Sequence, residues 1–532
     1  MAKFNRPARL FGLFGRKDQT TNYEGGLAFR MSPKAELYTR AATALVGEPK
    51  FYEPRAEGDQ EILGLVGVVA KADPEFVLKL AVHCRQELHL RTVPVVLLVE
   101  ACAHGSKAFV RRYAPHIVQR ADELAECIAY WKRRFGDIGD KAAKGMLSNP
   151  LKRGLAEAFE NFDAYQLAKY DRDGEVKLKD VLRIVHPKPR TKERSEVYRL
   201  LRDRELPVPE TWETVISGKG STKANWTAVL PRMGYMATLR NLRNLLEKGV
   251  EMEPVLEHLT APKAVRTSRQ FPFRFFSAYR ELENHASPET PEVLEALETA
   301  MELSVENVPE LKGTTFITAD NSGSMQATVS ERSKVTRAEV ADLLQAISGH
   351  LCDRAVTSVF GESFRVVHTR KTAGVLENTR RFLATDVGHS TNSYLAVRYL
   401  LRQRLKVDRI LLFSDMQCYD SATQGALRTA YYGATPGESL ALELKRYKAA
   451  VNPEVYLYSV DLAGYGTSQF PQDEGRVCQV AGWSERLLNF IPLYESAGTD
   501  GVAAIEAVSL DALDAARKAR LARPVRPDPT EA

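Results

Sequence analysis

The sequence predicts two architectures in one chain: an all-α helical-repeat half followed by a doubly wound α/β half. Three observations carry this. From about Ser32 to Leu303, apolar residues recur at three- and four-residue spacing in segment after segment, separated by proline, glycine or short polar turns. Near Val308 the texture changes to β-branched runs alternating with amphipathic stretches, as in a parallel sheet covered by helices. At 532 residues, the chain is also too long for a single hydrophobic core.

In chain order, the helical half begins with PEFVLKLAVHCRQELHL (Pro74–Leu90), VPVVLLVEACAHG (Val93–Gly105) and HIVQRADELAECIAYWKRRF (His116–Phe135). Further helices are expected at Pro150–Phe162, Lys177–Val185, Ala237–Gly249, Phe273–His285 and Pro291–Val308. Short amphipathic helices with tight connections suggest stacked pairs, a helical solenoid whose repeats are too degenerate to fix a period. In the second half, strands are expected at TTFITAD (Thr314–Asp320), Ala355–Ser363, Phe364–Thr369, RILLFSD (Arg409–Asp415) and Val455–Leu462. Helices fall between them at Ser333–Leu351, Asn392–Leu405 and Glu438–Val451, with a last one at Ser484–Tyr494. The tail, ending RPVRPDPTEA, is expected to be loose.

Composition narrows the class. An apolar fraction of 44% and a charged fraction of 27% are those of an ordinary globular protein. The net charge of +6 is unevenly spread: residues 181–280 hold 19 Lys and Arg against 10 Asp and Glu, a local excess that suits a polyanion. Six scattered cysteines without a CxxC pair argue against a disulfide scaffold or a zinc ribbon and fit reduced thiols in a cytoplasmic protein. No apolar run approaches a membrane span, so no membrane association is expected. The opening MAKFNRPARLFGLFGRK is basic, but its apolar part is too short for a secretory signal; it reads as a flexible, RNA-contacting arm.

The stretch TTFITADNSGSM (Thr314–Met325) carries the first chemistry. An apolar run ends in Asp320, and hydroxyls follow at Ser322 and Ser324, three hard oxygen donors of the kind Mg²⁺ takes. A strand ending there puts them at the carboxyl edge of a parallel sheet, where open α/β sheets bind ligands. GHSTNSYLAV adds Thr391 just before a helix, and RILLFSDMQ adds Asp415 just after an apolar strand. Alone, Asp-x-Ser-x-Ser is frequent in turns and helix caps; with Thr391 and Asp415 in place it is a candidate divalent-cation site. The whole pattern resembles the metal-ion-dependent adhesion site of a von Willebrand factor A domain.

An all-helical half followed by such a domain resembles the Ro sixty-kilodalton autoantigen family, nearest its bacterial members. The likeness is carried by NYEGG (Asn22–Gly26), KDVLRIVHPKP (Lys179–Pro189), WTAVLPRMGYMATLRNLRNL (Trp226–Leu245) and FPFRFFSAY (Phe271–Tyr279). It implies a HEAT-like helical-repeat ring, the TROVE module, over 22–308, a von Willebrand factor A domain over 309–510, an amino-terminal arm over 1–21 and a carboxyl-terminal tail over 511–532. It further implies binding of small non-coding Y RNAs on the outer ring surface and of single-stranded ends of misfolded RNAs in the central hole. Those roles belong to RNA quality control, maturation or decay, with delivery to an RNA-degrading nuclease through adaptor RNA. The histidine of the family's HxKP motif falls on His186, and a family RNA-contacting lysine falls on Lys169. An arginine of the family is not cleanly matched, Arg172 being the substitute available. The family's threonine loop reads Gly-Thr-Asp where this chain has Ser390-Thr391-Asn392.

The same residues make physical sense for RNA without the resemblance. HPKPR (His186–Arg190) leaves a helix end with prolines holding it extended and Lys188 and Arg190 displayed. Arg240 and Arg243 share a helical face and can reach a phosphate backbone together. Lys263, Arg266 and Arg269 fall in an expected loop before an aromatic helix, and Lys152 and Arg153 form a further pair. The bland alternatives are a capping histidine, solvated arginine faces and a Phe271–Phe276 cluster that is core rather than a stacking platform. No P-loop, GxGxxG, GxSxG or HExxH appears, and Ser322 stands where a phosphatase-like fold wants its second acid, so a non-enzyme is expected. The competing reading is a metal-dependent protein-interaction scaffold whose solenoid binds protein, with the metal site accepting a partner's acidic side chain.

Overall fold

The computed structural model describes residues 18–22, 27–43, 55–136, 147–171, 173–207, 209–308, 310–329, 333–418, 439–471, 474–482, 488, 491–492, 494–495 and 501–522. Seventeen α-helices among them lie between Pro33 and Val305. Local chemistry sets their ends. Asp163 and Gln166 cap the helix Ala164–Tyr170 reciprocally, each side chain accepting the other's backbone N–H at 2.7 and 3.1 Å. The expected continuous helix His116–Phe135 is broken: one helix ends at Ile117 and the next begins at Ala121. Glu123 causes the break by accepting from the backbone N–H groups of Gln119 and Arg120 at 2.8 and 3.0 Å, a cap that overrides the apolar periodicity.

The second half holds a six-stranded sheet. Its strands are β3 (Leu311–Asp320), β4 (Cys352–Phe360), β5 (Phe364–Val366), β6 (Arg409–Ser414), β7 (Tyr456–Asp461) and β9 (Val477–Ala481), in the order β5-β4-β3-β6-β7-β9. All neighbours run parallel except β5, an antiparallel edge. Alternation along β3 sends Phe316 to one face and Ile317 and Ala319 to the other. The first face packs on helices Tyr394–Arg402 and Leu440–Ala450, and the second shares a core with the helices from Trp212 to Val305. β9 and the helix Val375–Leu383 were not expected from the sequence. The helix expected at Ser484–Tyr494 falls largely outside the described residues.

The helical half begins and ends on this sheet domain, so the two halves form a closed circuit: a helical ring joined through the α/β domain. Its last helices meet the domain through Arg280 and Glu339, 2.7 Å apart, and through Arg380, whose guanidinium donates to the Tyr279 hydroxyl at 2.5 Å. Its first residues meet the domain again. β1 (Gln19–Thr21) pairs with β2 (Leu27–Arg30), which pairs in turn with β8 (Thr467–Ser468); Asn22 Nδ2 donates to the Cys418 carbonyl at 2.6 Å, and Arg40 donates to the Tyr465 carbonyl at 3.3 Å. Gln19–Thr21 is thus strand rather than flexible arm. Part of the tail departs from expectation: Leu510–Leu521 is a helix docked on the helix Lys107–Ile117, while the RPVRPDPTEA ending lies outside the described residues. The six cysteines are buried and unbridged, and no described helix is long and apolar enough to cross a membrane.

The core between Val215 and Val308 hangs on Trp226, which is 1% exposed, stacks on Trp212 and donates its indole N–H to Ser221 Oγ at 2.9 Å. Trp226→Ala is expected to cost about 3–5 kcal/mol. A lowered denaturant midpoint with an unchanged slope would show it, and a midpoint equal to wild type would refute it.

Candidate metal centre and nucleic-acid surface

The sheet order reverses at β3: β4 lies on one side and β6 on the other, which opens a crevice beyond their carboxyl ends. Ala319 pairs with Phe413, so the next residues, Asp320 on one strand and Ser414-Asp415 on the other, emerge side by side. Asp320 is fully buried; its Oδ1 accepts from Ser322 N at 3.0 Å and its Oδ2 from Ser414 Oγ at 2.7 Å. Asp415, also fully buried, accepts from Gln417 N at 3.1 Å. Gly323 N donates to the His389 carbonyl at 2.9 Å and ties the serine loop to the loop bearing Thr391, which is itself 5% exposed. The five sequence-predicted ligands therefore lie on three loops that converge at one sheet edge.

Burial, and then the charge of Asp415, push the Asp320 carboxyl up to about 7. Two carboxylates forced together away from water invite a cation. Ser324 Oγ is buried with no hydrogen-bond partner among the described residues, and Ser322 Oγ faces the Asp320 carboxyl without good hydrogen-bond geometry, a costly state for a buried hydroxyl. Among the described residues no group of three or more His, Cys, Asp or Glu could hold a metal, so the donors here are two carboxylates and three hydroxyls. Hard oxygens in that mixture fit Mg²⁺ and disfavour softer metals.

The departure at Asn392 has a physical account: its side-chain amide donates to the Glu362 carbonyl at 2.9 Å, which a carboxylate in its place cannot do. Sequence reasoning missed two supporting residues. Ser414 holds one oxygen of Asp320, and Asp342, fully buried on the helix Arg337–Leu351, accepts from Asn321 Nδ2 at 3.1 Å. An acid in the middle of the apolar run VADLLQAI was the available signal for Asp342.

The cationic residues separate into two groups on two different cores. In the first, His186 closes the helix Leu178–Val185 in a left-handed conformation (φ 49°), exposed, and residues 187–190 run on to the helix Lys192–Asp203. Lys188 is exposed and makes no ion pair among the described residues, whereas Arg190 meets Glu160 at 2.8 Å and Lys169 meets Glu213 at 3.5 Å. Lys152 is half-buried and Arg153 exposed on the helix Asn149–Ala158. In the second group, Arg240 and Arg243 are both exposed on the helix Tyr235–Glu247, but Arg243 is held by Glu247 and Glu281, each at 2.8 Å. Arg266 meets Glu306 at 3.3 Å and sits in the helix Pro262–Ser268, not in a loop as expected, because Pro262 starts a helical turn. Phe275 and Phe276 are core. Arg172 lies outside the described residues.

Residues 35–205 and 202–293 match the TROVE domain. Over 475 residues the chain is 23% identical to the RNA-binding protein RO60 of Deinococcus radiodurans, covering 79% of this chain and 87% of that protein. This chain carries the TROVE domain of the Ro60-related proteins. The crystal structure of the Deinococcus radiodurans RO (RSR) protein shares the fold of this TROVE protein, with a TM-score of 0.61 at 18% identity over 86% of this chain and 99% of that one. Telomerase protein component 1 of Mus musculus is 26% identical over 336 residues, and that of Rattus norvegicus 24% over 334. Each match takes in 47% of this chain, which spans only 13% of the telomerase protein's length.

Proposed function

We propose that this TROVE protein binds RNA through the exposed basic segment His186–Arg190 and its cationic neighbours, and that it performs no catalysis. The observation that carries the reading is Lys188: an exposed cation with no carboxylate partner among the described residues, on the short connection between two helices. Phosphate groups suit such a display, and they confer affinity without reading sequence. Support comes from the relative named as RNA-binding protein RO60 and from the basic excess over 181–280. In its finer form the proposal has Y RNAs on the outer surface and single-stranded ends of misfolded RNAs in the ring's hole, in cytoplasmic RNA quality control, maturation or decay, with a nuclease recruited through adaptor RNA.

Asp320, Ser322, Ser324, Thr391 and Asp415 would hold Mg²⁺ in this reading. When bound, the ion supplies an open position for a partner's carboxylate rather than an activated water. The residues around it offer a docking point: Asp320 is engaged by Ser322 N and Ser414 Oγ, and neither is placed as an acid or base.

The test is fluorescence anisotropy with a small stem-loop RNA bearing a single-stranded 3′ tail, at two salt concentrations. Binding that weakens steeply with salt is expected; no binding at low salt, together with capture of an acidic protein that depends on Asp320, would replace this reading with the protein-scaffold one.

A further inference from the structure

The helix Leu510–Leu521 crosses the amino-terminal helices and leaves a cleft of about 390 Å³ against them, lined by Arg85, Gln86, His116, Gln119, Arg517 and Arg520 among others. Arg112 fastens the helix by reaching Asp511 and Asp514 at 3.0 and 2.8 Å, and His116 Nε2 meets Asp514 at 2.8 Å. The acids around the cleft are committed elsewhere. Glu123 takes Arg85 at 2.9 Å, Glu157 takes Arg111 at 2.6 Å and Glu160 takes Arg190 at 2.8 Å.

Arg517 and Arg520, three residues apart on one helical face, have only neutral partners among the described residues. Arg517 donates to Asn161 Oδ1 and to the Glu157 carbonyl, both at 2.7 Å; Arg520 donates to Gln119 Oε1 at 3.0 Å. Burial disfavours the charge of both; at Arg517 the nearby Glu160 and Glu157 carboxylates, each already paired to another arginine, offset this in part, and the charges of Arg520 and Arg190 add to it. Two guanidinium groups facing a cleft lined by no carboxylate among the described residues form a site for an anion. Their planar forks match phosphate oxygens in particular. Glu160, which pairs with Arg190, is followed in the chain by Asn161, which accepts from Arg517, so the cleft borders the basic segment described above.

We propose that this cleft is a phosphate-binding site built by the carboxyl-terminal helix, receiving a backbone phosphate of RNA that runs on from His186–Arg190. The source of the phosphate rests on the RNA reading; the site itself does not. Full-length wild type is compared with Arg517→Gln/Arg520→Gln, with Arg520→Gln alone at the cleft mouth in case the pair disturbs docking, and with Arg517→Lys, which keeps charge but loses the fork. Calorimetric titration with inorganic phosphate and RNA anisotropy across salt are read on each, with circular dichroism checking the fold. The expected result is loss of phosphate binding in the double variant, a roughly tenfold weaker RNA affinity, and a salt slope shallower by about 1.4–1.8. Arg520→Gln and Arg517→Lys should lie between. A folded double variant that binds phosphate and RNA as wild type does overturns the proposal. Loss of phosphate with unchanged RNA affinity overturns RNA as the source. A wild type that binds phosphate but no RNA, with phosphate lost in the variant, supports the site while the RNA reading fails.

Discussion

Asp320→Asn should abolish the response of this protein to magnesium while leaving the metal-free protein as stable as wild type or more so. The two carboxylates of the sheet-edge site repel one another without water to screen them, and replacing one by its isosteric amide removes that repulsion. Wild type should gain about 2.7 kcal/mol at a magnesium concentration a hundredfold above its dissociation constant, seen as a rise in melting temperature over an EDTA control. The pH dependence has a definite sign. Because the Asp320 carboxyl is raised to about 7, the folded state keeps a proton that an unfolded chain releases near pH 4. Metal-free wild type should therefore lose stability as pH rises from about 4 through about 7. Magnesium should restore it above that range, and Asp320→Asn should flatten the dependence. Identical melting of wild type in EDTA and in millimolar magnesium at pH 8 would sink the site.

Lys188→Glu combined with Arg240→Glu is expected to weaken RNA binding by roughly 10- to 100-fold near 0.1 M salt and to lower the salt slope by about 1.4–1.8. Both side chains are exposed and neither has a carboxylate partner among the described residues, so each offers its full charge to a phosphate. Arg243→Glu and Arg266→Glu should cost less affinity, because Glu247 and Glu281 already neutralise the first and Glu306 the second. Arg243→Glu should instead lower stability modestly by setting three acids against one another. Equal losses from all four reversals would show that overall charge, not the unpaired positions, drives binding.

How much of this was legible beforehand follows from the range of the interactions. Strand β3 and its terminal Asp320 were readable because a β-branched run ending in an acid is a local signal, and the same holds for the proline-held segment after His186. The split at Gln119–Arg120 was not, since one carboxylate, Glu123, outvoted an apolar period that continued through it. β9 was missed because five residues, VCQVA, carry too little pattern to stand out without the neighbouring β7. Asp342 looked like an ordinary helix acid until its burial under the serine loop gave it a partner in Asn321.

By itself the sequence determined the two-part fold, the oxygen-rich residues of the candidate metal site and the basic character of the region after residue 181, all written in periodicity, local caps and residue type. Only the tertiary structure decided which arginines are neutralised by carboxylates, that the tail is a docked helix with two arginines facing a cleft, and that the chain's first strands return to the sheet domain at Cys418. Those outcomes depend on which surfaces meet across hundreds of residues, 396 between Asn22 and Cys418 and 401 between Gln119 and Arg520, and no short-range pattern encodes such a meeting.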